Sequence, residues 1–104
     1  MISDIVEVLA AVADERLRQD ERWGEQNHPD GTGHYEDGDA AKADRLKIQY
    51  AIASQNGVLN WRLILLEEVY EALAESDPER LREELIQVAA VAVAWAECID
   101  RRGK

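Results

Sequence analysis

Hydrophobic residues recur along the chain at steps of three and four, the spacing that places side chains on one face of an α-helix. Four segments show this pattern, and each is bounded by capping or turn residues. In the first segment, Ser3 or Asp4 can cap a helix whose apolar stripe is Ile5, Val8, Leu9, Val12 and Leu17. The segment ends near Trp23-Gly24, where the glycine can serve as a C-cap. We expect an amphipathic helix.

A second helix is expected after Asp37 or Asp39, either of which can cap it, and it should stop at Asn56-Gly57. The stretch from Glu25 to Asp39 before it is polar and contains the turn signal Pro29-Asp30-Gly31. Long loops of this kind are functional lids or simply mobile. The stretch carries several acidic and histidine residues, but their spacing matches neither a zinc motif nor an EF-hand, so no second metal site is predicted.

The third and fourth helices are separated by the turn at Ser76-Asp77-Pro78. Asn60 can cap the third helix. The fourth helix should start at Ser76 or Asp77, where Ser76 and Glu79 can form a capping box and Pro78 lies in the first turn. The fourth helix is apolar on more than one side, with Leu85, Val88, Ala89, Ala92, Val93 and Trp95. Four short helices cannot enclose such a helix. We expect one all-α domain over residues 1–104, whose bundle is completed by a second copy in a homodimer or a dimer of dimers.

The charge and composition of the chain limit the classes of molecule that the protein could bind. The 104 residues carry a formal net charge of −10, which argues against a nucleic-acid or anionic-membrane surface. A site for a small phosphorylated substrate stays compatible with this charge, because a bound cation supplies local positive charge. The longest apolar stretch, from Leu85 to Ala96, is too short to span a bilayer, and the single cysteine, Cys98, fits a reducing compartment. We expect a cytoplasmic protein.

Carboxylates recur at helical spacing on the third and fourth helices. Glu67, Glu68 and Glu71 lie three and four residues apart, and Glu84 and Gln87 repeat the spacing one helix later. Like charges so placed repel by about 0.2–0.5 kcal/mol per pair, so the cluster fits better around a cation than alone. Oxygen ligands converging from two facing helices suit Mg²⁺. The alternative is an ordinary solvated face of glutamates.

The same residues resemble a known signature. Glu67-Glu68-Val69-Tyr70-Glu71, twelve intervening residues and Glu84-Leu85-Ile86-Gln87 resemble the EExxE…ExxD pattern of the MazG-like all-α nucleoside triphosphate pyrophosphohydrolases. Gln87 stands where that family usually has Asp, and it offers an amide oxygen but no charge. The resemblance implies hydrolysis of a (deoxy)nucleoside triphosphate to the monophosphate and pyrophosphate, in control of nucleotide pools. It implies Mg²⁺, with Mn²⁺ as a substitute, held by Glu68, Glu71, Glu84 and Gln87, and we take Glu67 as the base that activates water.

The stretch from Glu15 to Pro29 resembles the openings of phage and actinobacterial MazG-like proteins. On that resemblance, Trp23 stacks on a nucleobase, and Gln19, Gln26 or His28 hydrogen-bonds its edge. The alternatives are that Trp23 closes the core where the helix ends and that His28 is an exposed loop residue.

A cation at the edge of the site would stabilise the charge on a leaving pyrophosphate. Lys42, Arg45 and Lys47 of the second helix are the candidates, and we assign Lys42, although periodicity does not choose among the three. Two other functions stay open for the chain. It could bind nucleotide or metal without turnover, because Gln87 lacks the usual charge, or it could be a dimeric helical interaction module.

Overall fold

The computed structural model describes residues 2–103, and within that range the chain is helical, with no strand. Four α-helices lie in this range: α1 (Ile2–Trp23), α2 (Asp39–Gln55), α3 (Trp61–Ala74) and α4 (Pro78–Arg102). One short 3₁₀ turn, Tyr35–Asp37, precedes α2. The predicted all-α chain of four helices is confirmed. In the described part, no helix is long and apolar enough to cross a membrane.

The chain divides into two compact units. The first contains the residues up to Asp30 and those from Val93 onward, and the second runs from Gly31 to Ala92. Helices α2 and α3 belong wholly to the second unit, as does the first part of α4. Every glutamate of the predicted metal site therefore lies in the second unit.

In the first unit, α1 ends as the sequence predicts but starts earlier. It begins at Ile2, so Ser3 and Asp4 lie inside the first turn, and the prediction that one of them caps the helix is wrong. Helical geometry extends upstream of the residues that favour the cap position, a boundary shift of the usual size. At the other end, Gly24 has a φ of 69° and its N–H donates to the Asp20 carbonyl at 2.7 Å. That left-handed turn suits glycine and confirms the predicted C-cap.

In the second unit, α2 and α3 pack against each other. The N-cap of α2 is Gly38, with a φ of 72° and no side-chain cap, so the prediction of an Asp37 or Asp39 cap is wrong. A left-handed φ at that position suits glycine and strains an aspartate. The helix ends at Gln55, and Asn56 and Gly57 follow as the predicted stop.

The two remaining predicted caps belong to α3 and α4. The Asn60 side chain accepts a hydrogen bond from the Leu63 N–H at 2.9 Å, which confirms it as the cap of α3. Helix α4 begins at Pro78, and Asp77 accepts from the Arg80 N–H at 3.1 Å. Of the two predicted starts, Asp77 is thus the cap, and the predicted box between Ser76 and Glu79 is wrong.

The buried core of the described chain is small. Its members are Ala43 and Leu46 of α2, Ala72 of α3 and Leu81 of α4. No described residue of α1 is buried. Large apolar side chains of α1, α2 and α4 are instead exposed, and on α4 the exposed fractions are 51% for Leu85, 56% for Ile86 and 50% for Ile99.

Candidate functional site

Four glutamates of the second unit form the candidate site, which we call the acidic cluster: Glu67, Glu68, Glu71 and Glu84. All four are partly buried. Burial raises the pKa of Glu67, and repulsion from Glu71 and Glu84 raises it further. Burial likewise raises the pKa of Glu68, with further contributions from Glu67, Glu84 and Glu71. Carboxylates of α3 and α4 therefore share one electrostatic environment.

Glu84 is the member of the acidic cluster that α4 contributes. Its Oε2 atom is buried and has no hydrogen-bond partner among the described residues. Burial raises the pKa of this carboxyl, as does repulsion from Glu71 and Glu75. An unsatisfied buried acceptor costs about 1–3 kcal/mol, and more when it is charged. A proton or a cation at this oxygen would remove that cost.

Lys47 of α2 supplies positive charge to the acidic cluster. Its Nζ lies 2.8 Å from Oε1 of Glu71, with the lysine side chain 55% exposed and that of Glu71 24% exposed. The hydrogen bond to Glu71 is the main reason that the pKa of Lys47 is raised. The ammonium also acts on its neighbours, because it partly offsets the rise in the pKa of Glu67 and of Glu84.

An open cleft of about 190 Å³ adjoins this ion pair, between α2 and α3. The cleft is lined by the ion pair, by two further acidic residues and by three alanines: Lys47, Glu71, Asp44, Glu75, Ala40, Ala43 and Ala74. Alanine methyl groups leave space beside the charged atoms. The cleft therefore gives solvent and small polar ligands access to the ion pair.

The end of α3 is held by a contact that sequence reasoning missed. The N–H of Gly33 donates to the Leu73 carbonyl at 2.9 Å, and the Thr32 hydroxyl donates to the Glu75 carbonyl at 2.7 Å. Gly33 has a φ of 74°, and a Cβ built on it would lie 2.6 Å from Cβ of Ser76. Two carbonyls that a helix end leaves unsatisfied are thereby satisfied. The only signal in the sequence was the glycine pair around Thr32.

Two further predicted site residues, Lys42 and Gln87, belong to the second unit, as the acidic cluster does. Lys42 lies over the aromatic ring of Tyr70, with its Nζ 4.7 Å from the ring centroid. Gln87 is exposed on α4, one turn after Glu84. Among the basic residues of α2, the structure thus brings Lys47 rather than Lys42 into contact with a carboxylate of the cluster.

The residues predicted to bind the nucleobase lie in the first unit. Gln19 accepts a hydrogen bond from Arg16 Nη1 at 2.9 Å, and Nε2 of His28 is 3.0 Å from Oε1 of Gln26. Trp23 is 57% exposed, and the Arg22 guanidinium lies 4.8 Å from its ring centroid. The alternative in which Trp23 closes the core of the chain is not what the structure shows. His28 is an exposed loop residue.

Whether this site suits a metal ion depends on the arrangement of its side chains and on the chemistry of their donor atoms. Within residues 2–103, no three His, Cys, Asp or Glu side chains are arranged closely enough to hold a metal ion. The donors nonetheless suit a hard cation, since they are carboxylates from two helices and one of them has a buried oxygen without a partner. Glu68, Glu71, Glu84 and Gln87 therefore stay the Mg²⁺ ligands predicted from the sequence.

No protein-family model, curated protein or solved structure shows a significant match to the chain.

Proposed function

We propose that the protein hydrolyses a (deoxy)nucleoside triphosphate to the monophosphate and pyrophosphate in the cytoplasm, with Mg²⁺ or Mn²⁺ as cofactor. One observation carries the proposal. Glutamates that match the MazG-like signature on α3 and α4 act on one another electrostatically, and the buried Glu84 oxygen lacks a partner. Such a cluster is unfavourable alone and favourable around a divalent ion.

The residues of the acidic cluster take separate roles in this reaction. The cation, when bound, neutralises phosphate charge and polarises the phosphoryl oxygens. Glu68, Glu71 and Glu84 would hold the cation, and Gln87 would contribute an amide oxygen. Glu67 accepts a proton from the water that attacks the α-phosphorus, while the bond from that phosphorus to the bridging oxygen of the pyrophosphate breaks. The raised pKa of Glu67 suits this task, because a base works best when its pKa approaches the working pH.

The residues predicted from the sequence to bind the nucleobase, Trp23, Gln19 and His28, all belong to the first unit. Trp23 offers a largely exposed ring for stacking on the base. Gln19 and His28 carry the donors and acceptors that can read the edge of a base. Lys42 of the second unit was assigned to the phosphates from the sequence, and its contact with Tyr70 leaves Lys47 as the stronger candidate.

We also propose that a second copy of the chain covers the exposed apolar side chains. Among the described residues, thirteen large apolar side chains are more than 40% exposed. Removing such surface from water is favourable by about 25 cal/mol per Å². Leu85, Ile86 and Ile99 of α4 are natural members of that interface.

The test is pyrophosphate release from a panel of ribo- and deoxynucleoside triphosphates, with Mg²⁺ and with chelator. The wild-type protein is compared with Glu71→Ala and Gln87→Asp. Metal-dependent release that is lost in Glu71→Ala supports the proposal and identifies the substrate. Activity found only in Gln87→Asp would indicate a protein that binds nucleotide without turning it over. If none of the three proteins releases pyrophosphate, hydrolysis of these nucleotides is refuted and the helical interaction module is favoured.

A further inference from the structure

An open cavity of about 470 Å³ lies at the C-terminal end of α1, within the first unit. Its lining consists of α1 residues and of the loop that follows: Arg16, Asp20, Gly24, Glu25 and Gln26. The volume falls in the range of about 300–1,000 Å³ that is typical of small-molecule sites. Gly24 adds no side chain, so a ligand in this cavity meets one guanidinium, two carboxylates and one amide.

The guanidinium and one carboxylate of this cavity are held side by side. Arg16 donates from Nη2 to Oδ1 of Asp20 and from Nη1 to Oε1 of Gln19, both at 2.9 Å. These bonds leave further N–H donors of the arginine for a ligand. Each carboxylate also keeps one oxygen available, because Asp20 Oδ2 and Glu25 Oε1 accept no hydrogen bond from the described residues. The cavity therefore presents a donor beside an acceptor, with a second acceptor from the loop.

We propose that this cavity binds the base of the nucleotide and selects guanine. The inference rests on the proposed function and deepens it by naming the base. Along one edge of guanine, the carbonyl oxygen O6 is followed by the N1–H group and then by the 2-amino group. Arg16 donates to O6, Asp20 accepts from N1–H, and Glu25 accepts from the amino group. A base is uncharged, so the acidic residues of the lining do not repel it.

The other bases present groups that do not match this lining. Adenine has an amino donor where guanine has O6, and its N1 carries no hydrogen, so neither group pairs with Arg16 and Asp20. Cytosine shows the same reversal. Uracil and thymine share the carbonyl and the N–H, but they place a second carbonyl oxygen next to Glu25. A site that pairs with a donor discriminates strongly against an analogue that lacks it.

An aromatic ring lies on the same part of α1 as these groups. Trp23 follows Arg16 by seven residues and Asp20 by three, so the three side chains share one face of the helix. Trp23 is 57% exposed, although the Arg22 guanidinium lies 4.8 Å from its ring centroid. A base that pairs with Asp20 can therefore stack on the ring of Trp23.

The experiment is a titration of the full chain with guanosine, inosine and adenosine in the presence of chelator, followed by the backbone amide and Trp indole signals in NMR spectra. Inosine is guanosine without the 2-amino group, so this pair isolates the contact with Glu25. Nucleosides carry no phosphate, and neither a metal nor turnover is needed. The variant is Glu25→Ala. Glu21→Ala is the matched control, because it removes the same side chain from an exposed position outside the cavity lining.

Guanosine should shift the signals of the Gly24 amide and the Trp23 indole. It should bind the wild-type protein at least about fivefold more tightly than inosine does, because inosine lacks one hydrogen bond to a carboxylate. Glu25→Ala should weaken guanosine binding by a similar factor and leave inosine binding within about twofold, so that the preference disappears. Glu21→Ala should keep the wild-type affinities for both nucleosides.

Three results would each overturn the inference: no binding of guanosine, equal affinity for the three nucleosides, or a preference for guanosine that survives in Glu25→Ala. The proposed function survives all three if the protein releases pyrophosphate from a nucleotide with another base. Conversely, guanosine binding at this cavity in a protein that releases no pyrophosphate would refute the proposed function and leave the guanine site in place.

Discussion

Replacing Glu84 by Gln should stabilise the protein when no divalent cation is present. The change removes one charge from the acidic cluster and keeps the shape of the side chain. Glu71 and Glu75 both repel Glu84, and its Oε2 is buried without a partner. Relief from two like-charge neighbours contributes about 0.4–1 kcal/mol, and the amide is easier to bury than a carboxylate. We expect the free energy of unfolding at pH 7 in chelator to rise by about 1 kcal/mol, or about 4–8 °C in Tm.

The pH dependence of this difference identifies its cause. Glu84 has a pKa above its ordinary value in the folded protein. The protonated form therefore favours folding below the ordinary pKa of about 4.5, and this contribution is lost as the pH rises through the folded pKa. The wild-type protein and Glu84→Gln should thus be equally stable near pH 4.5 and should diverge toward pH 7. Glu67 and Glu68 shift in the same direction and add to the decline of the wild type.

Thermal and urea unfolding at one fixed protein concentration measure the effect, with Glu83→Gln as the control. Glu83 is exposed on the same helix and has only a minor influence on Glu84, so its replacement should change the free energy of unfolding by less than about 0.3 kcal/mol. Addition of Mg²⁺ should stabilise the wild type and not Glu84→Gln. A variant that is less stable than wild type in chelator at pH 7, by an amount that does not change with pH, would refute the reasoning.

Three further predictions follow from the described contacts. Gly33→Ala should lower the free energy of unfolding by about 2 kcal/mol or more in urea denaturation, because φ is 74° and the new Cβ would meet that of Ser76 at 2.6 Å; a neutral effect would show that the Gly33 contact with α3 does not form. Asn60→Ala should cost about 1 kcal/mol in the same assay, by loss of the helix cap, whereas Asn60→Asp should cost only a few tenths. Ile86→Glu should convert a dimer to monomers in light scattering coupled to gel filtration, because it places a charge among exposed apolar side chains; a monomeric wild type would contradict the proposed self-association.

Helix caps were predicted correctly from the sequence where a single residue type determines the local structure. Gly24 and Asn60 act as the caps that their side chains or backbone freedom favour. Other caps were misplaced because the competing choice depends on the backbone. Gly38 begins α2 with a left-handed φ although aspartates flank it, and Asp77 caps α4 although Ser76 precedes it. Capping preferences rank such neighbours almost equally, so the sequence alone could not separate them.

In the candidate site too, features set by spacing within one helix were predictable from the sequence, whereas features set by packing between helices were not. The spacing of Glu67, Glu68 and Glu71 places them on one helix, and the turn before Pro78 brings Glu84 toward them. The choice between Lys42 and Lys47 depends on how α2 is rotated against α3. Five residues correspond to a rotation of about 140° around a helix, so the two lysines leave α2 in different directions. Lys47 pairs with Glu71, whereas Lys42 contacts the ring of Tyr70. The hydrogen bond from Thr32 to Glu75 joins residues 43 positions apart, and no periodic pattern in the sequence predicts it.

The central claim is that the acidic cluster binds a divalent cation, and Mn²⁺ tests it directly because its electron paramagnetic resonance signal reports binding without turnover. The account predicts that wild-type protein takes up Mn²⁺, that Mg²⁺ displaces it, and that Glu71→Ala or Glu84→Gln abolishes uptake. Glu79→Gln, an exposed glutamate in the first turn of α4, should leave uptake intact. Uptake that is absent in the wild type, or equal in all four proteins, would contradict the account.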